Sequence, residues 1–142
     1  MTAAIFGLVG VIVGGVMNAA LAVVLDARRS ARALRTSARL TAEEIQSNGR
    51  TLYACLETGL WLAMRNHPLR FNTWEANAET LAAMAYDGWV TVAEAIRMTS
   101  QIDRIHGRGD HTHLSPMDPR HVQEAVRACE LAVGVLEREG RD

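Results

Sequence analysis

Residues 3–32 read AAIFGLVGVIVGGVMNAALAVVLDARRSAR. Ala3 to Leu25 pass without a charge, and then arginines arrive at Arg28, Arg29, Arg32, Arg35 and Arg39. A helix rising about 1.5 Å per residue would carry this run over about 34 Å, enough to cross the hydrocarbon layer of a bilayer. A buried helix in a soluble domain keeps a polar face; here only Asn18 is polar. A secretion signal has basic residues ahead of a shorter apolar run. None precedes Arg28, although Ala20 and Ala22 loosely imitate a cleavage site. The expectation is therefore a retained transmembrane helix over residues 1–25.

The basic flank sets the expected orientation. Five arginines against Asp26 place that side in the cytoplasm, with a short N-terminus outside, making this a single-pass protein of the cell inner membrane. At 100° per residue, Gly7, Gly10, Gly14 and Asn18 fall on one stripe, continued by Leu21 and Leu25. Gly10 and Gly14 form a small-xxx-small pair that admits a second helix, and Asn18 is placed to hydrogen-bond across such a contact. The expected partners are the lipid bilayer and either a second copy of the chain or a membrane protein. Arg28, Arg29, Arg32 and Arg35 are the expected contacts to lipid headgroups, at up to about 1 kcal/mol per residue with anionic lipid.

Beyond the span about 115 residues remain, enough for one modest helical domain. The formal charge of −1 conceals an asymmetry. Residues 26–40 carry five arginines and one acid, net +4; residues 41–142 carry ten arginines and fifteen acids, net −5. A nucleic-acid footprint needs basic residues across the folded domain, so that class of partner is excluded from expectation. Every basic residue is arginine, a bias that fits a GC-rich coding sequence. Cys55 and Cys129 lie far apart with no CxxC spacing, and read as two buried thiols.

The pattern predicts an all-α chain. The N-terminal helix is expected to continue through a basic, amphipathic helix over residues 26–60. No proline interrupts it, and Leu34, Ala38, Ile45, Leu52, Leu56 and Leu60 recur at near-heptad intervals. Thr41-Ala-Glu-Glu44 would fit a capping box for a fresh start, and Gly49 costs about 1 kcal/mol relative to Ala, so a kink is allowed for. Gly59 is the expected stop, and GLWLAMRNHPLRFNTW (59–74) a connector in which Pro68 extends His67.

Residues 61–142 are expected to form a cytoplasmic helical domain with helices at about 74–85, 89–105 and 118–139. Thr73 would cap the first, whose inner face is Trp74, Ala78, Leu81, Ala82 and Ala85. Tyr86-Asp-Gly88 would be a tight turn. The next helix would bury Val92, Ala93, Ile96 and Ile102. Asp118-Pro119 opens the last helix with an N-cap and a first-turn proline. There Val122, Ala125, Val126, Cys129, Ala132, Val133 and Leu136 keep the i, i+3, i+4 rhythm. Trp61, Trp74 and Trp89 are expected to pack in the small core.

An apolar span, the basic section Arg35-Thr-Ser-Ala-Arg-Leu40, LETGLW (56–61) and TWEANAETLAAMAYDGWVTVAEAI (73–96) together follow a recurrent order. In that order the chain resembles small single-pass membrane proteins of GC-rich bacteria, over about residues 3–105. The resemblance implies location and topology and carries no activity.

Chemistry is sparse. His106, His111, His113 and His121 fall close together beside Asp110 and Asp118, and such side chains suit Zn²⁺. Their H-x4-H-x-H-x7-H spacing matches no standard zinc motif, and a solvated loop over 106–117 is the expectation. Glu43 and Glu44 read as surface charges with nothing converging on them. No catalytic residue and no cofactor are expected. The leading reading is a non-enzymatic, membrane-anchored interaction protein. The alternatives are a metal sensor or metal-dependent enzyme using residues 106–121, and a phage-type membrane-active protein.

Overall fold

The computed structural model describes residues 2–106 and 119–141, with side chains from Gly14 onward. Those residues form an all-helical chain: α1 (Thr2–Thr58), α2 (Leu62–Asn66), α3 (Asn72–Leu81), α4 (Tyr86–His106) and α5 (Pro119–Glu139). They divide into two compact units, Met1–Ala33 and Leu34–Asp142.

In the first unit every residue from Gly14 to Ala33 is exposed. Among the described residues no helix is long and apolar enough to cross a membrane. The first part of the expected span, residues 3–13, lies outside the residues whose side chains are described.

The second unit has a core in two adjoining clusters. One gathers Ala38 and Ile45 of α1, Leu81 of α3, Val92 and Ile96 of α4, and Leu136 of α5. The other joins Leu52 and Cys55 to Trp61, Met64, Ile102 and Val122. The apolar rhythm of α5 lands as its spacing requires, with Val122, Ala125, Val126, Cys129, Ala132 and Leu136 all buried. Helices α4 and α5 cross closely where Gly88 faces Val135; a Cβ on Gly88 would sit 3.1 Å from Val135 Cγ1.

The N-terminal helix neither restarts at Thr41 nor breaks at Gly49. The capping-box side chains are turned inward instead, with Thr41 fully buried and Glu44 only 9 % exposed. Gly49 lies against α5: a Cβ there would lie 3.2 Å from Cys129 Cβ. Lost helix propensity at this position permits close packing of two helices. Past Thr58 the chain turns at Gly59 with φ 66°, a left-handed value that glycine adopts without steric cost.

The connector and the second turn differ from expectation. Residues 62–66 form a short helix whose Met64 enters the core, and Trp61 beside it is 3 % exposed. Helix α3 starts at Asn72 and ends at Leu81, so Ala82 and Ala85 are exposed and Met84 turns inward in their place. The reversal falls on residues 82–85, and Tyr86-Asp-Gly88 forms the first turn of α4. Gly88 is there to clear Val135, so the residue that suggested a turn is used for helix contact. Asp118, the expected cap of the last helix, lies outside the described residues.

Candidate interaction groove

Helix α1 offers two buried stripes to the second unit. The apolar stripe fills the core. Beside it Ser37, Thr41, Glu44 and Asn48 recur at i, i+4, i+7 and i+11, one polar line along the helix. Burying such groups costs free energy unless they are hydrogen-bonded; the chain from residue 70 to 77 supplies partners for Ser37, Glu44 and Asn48, while Thr41 Oγ1 is buried without a hydrogen-bond partner among the described residues. Asn48 Nδ2 donates to the Arg70 carbonyl at 2.7 Å, while the Arg70 N–H donates to Asn48 Oδ1 at 2.9 Å. The Glu44 carboxylate accepts from the N–H groups of Thr73 and Trp74, each at 2.9 Å. Ser37 Oγ donates to Asn77 Oδ1 at 2.7 Å, and Asn77 Nδ2 donates to the Thr73 carbonyl.

Glu44 therefore caps α3 from another helix, and no side-chain cap is contributed by Phe71, the residue at the local N-cap position. A carboxylate at a helix N-terminus meets both the unpaired N–H groups and the positive end of the helix dipole. The expectation of a surface charge at Glu44 is corrected; Glu43 one residue earlier is exposed and pairs with Arg39 at 3.5 Å.

On the opposite side of α1 the seam with α5 is open to solvent. Its central hollow, about 470 Å³, has Gly49, Val126, Cys129 and Val133 as its apolar floor and Gln46, Arg50, Tyr53 and Glu130 on its edges. A second hollow of about 290 Å³ shares Gln46 and Val133 with it. A third, of about 580 Å³, shares Tyr53, Val126 and Glu130. The three form one groove along the α1–α5 seam, from Arg39 and Arg141 at one end to Leu56 and Arg120 at the other. At about 1.5 Å per residue, residues 120–141 extend it over about 30 Å. The sequence does not announce the groove, because it exists only where two distant helices meet.

Cys129 lies in the floor of this seam, whereas Cys55 is buried in the second core cluster beside Trp61 and Met64. Burial pushes the Cys129 thiol up to about 12, with the Glu130 charge adding to the effect. Burial also raises Cys55, opposed by the backbone N–H groups of Met64 and Ala63. Raised values keep both as thiols at neutral pH, and the thiolate is the nucleophilic form. Tyr53 is exposed, and its hydroxyl is raised by its hydrogen bond to Glu57 and by that carboxylate's charge.

Of the four histidines expected to cluster, the two described, His106 and His121, do not share a surface. His106 is 4 % exposed, its ring stacked on Trp61 at 4.0 Å and 11°. His121 is exposed on α5, beside Gln101 and Glu124. His111 and His113 lie outside the described residues, as do Asp110 and Asp118. Among the described residues no group of three or more metal-binding side chains is present. Trp74 and Trp89 stack on each other at 5.0 Å and pack, half-buried, against the core.

Of the expected membrane-packing residues, Gly14 and Asn18 are exposed, and Gly14 has open space around it; the side-chain positions of Gly7 and Gly10 lie outside the described residues. Arg28, Arg29 and Arg32 are exposed, and Arg35 is half-buried. Comparison with protein-family models, curated proteins and solved structures finds no match.

Proposed function

We propose that this is a membrane-anchored helical interaction protein without catalytic activity. Its anchor would be the apolar helix of residues 3–25, with the basic segment from Arg28 on the cytoplasmic side and the α1–α5 groove as its interaction surface. One observation carries the reading. Val16, Met17, Leu21 and Val23 are 57–70 % exposed in a helix with no charged residue before Asp26. A contiguous apolar surface of this kind calls for lipid or another chain to cover it. The arginines at 28, 29 and 32 suit the headgroup layer that follows.

Alkaline carbonate extraction of membranes carrying the full chain tests the anchor. The chain is expected in the pellet, and Leu21→Arg is expected to release a fraction of it, since a charge near the end of an apolar span opposes insertion. Complete release of the unaltered chain by carbonate refutes the anchor. Chemical cross-linking in the same membranes tests the groove. Products larger than one chain are expected, and their absence at every cross-linker dose refutes the interaction role.

A further inference from the structure

We draw no further inference here: the strongest candidate, the solvent-open groove along the α1–α5 seam with Gly49, Val126, Cys129 and Val133 as its floor, is the interaction surface already described, and nothing in the structure shows what covers it.

Discussion

Replacing Glu44 with Ala removes the carboxylate that accepts the N–H groups of Thr73 and Trp74 at 2.9 Å each. Hydrogen bonds to a charged group contribute about 1.5–3 kcal/mol apiece, and donors left without a partner keep their desolvation cost. The pair shares one carboxylate at 9 % exposure, so water can reach the site only in part. We expect E44A to destabilise the second unit by about 3 kcal/mol, and E44Q by about half as much, since one amide oxygen can still accept. Urea unfolding followed by tryptophan fluorescence reads this directly, because Trp74 is both a capped residue and stacked on Trp89. Thr73→Ala is the contrasting variant. A helix capped locally by Thr73 would lose about 1 kcal/mol, whereas capping from α1 leaves T73A within about 0.5 kcal/mol of the original. E44A within about 0.5 kcal/mol of the original, or T73A costing more than E44A, would refute the argument.

Two further outcomes test the seam. Gly49→Ala is expected to be near neutral, as a propensity gain of about 1 kcal/mol offsets the 3.2 Å approach to Cys129 Cβ. Gly49→Leu should cost about 1–3 kcal/mol by pushing the helices apart, read as a lower urea midpoint. The Cys129 thiol, pushed up from 9.0 to about 12, binds its proton more tightly folded than unfolded. Stability it contributes is present below pH 9 and is lost as pH rises from 9 toward 12, at up to about 1.4 kcal/mol per pH unit. Cys129→Ala should flatten that decline in urea titrations between pH 8 and 11, and an unchanged slope would contradict the assignment.

Much of the helical framework was legible in the residues. The apolar rhythm of residues 122–136 has one low-energy solution, a helix with that face buried, and the structure places α5 at Pro119–Glu139. Gly59 stands at the end of α1 because no other residue takes a φ of 66° as cheaply. These are local effects, decided within a turn or two of chain.

Where sequence and structure part, a distant residue made the difference. Thr41 and Glu44 satisfy the spacing of a capping box, but Glu44 caps α3, thirty positions away, because α1 packs beside that helix's start. Tyr86-Asp-Gly88 has turn composition, yet Gly88 belongs to α4, where a Cβ would press to 3.1 Å from Val135 Cγ1. His106 reads as the first member of a metal-binding cluster, but stacking on Trp61 withdraws it into the core. The interaction groove was likewise invisible: its floor joins Gly49 to Cys129, two positions that only packing brings together. Local chemistry is enough to form a helix, since its hydrogen bonds close within four residues. Which side chains meet across helices depends on how buried surfaces fit, and tertiary packing alone determines that.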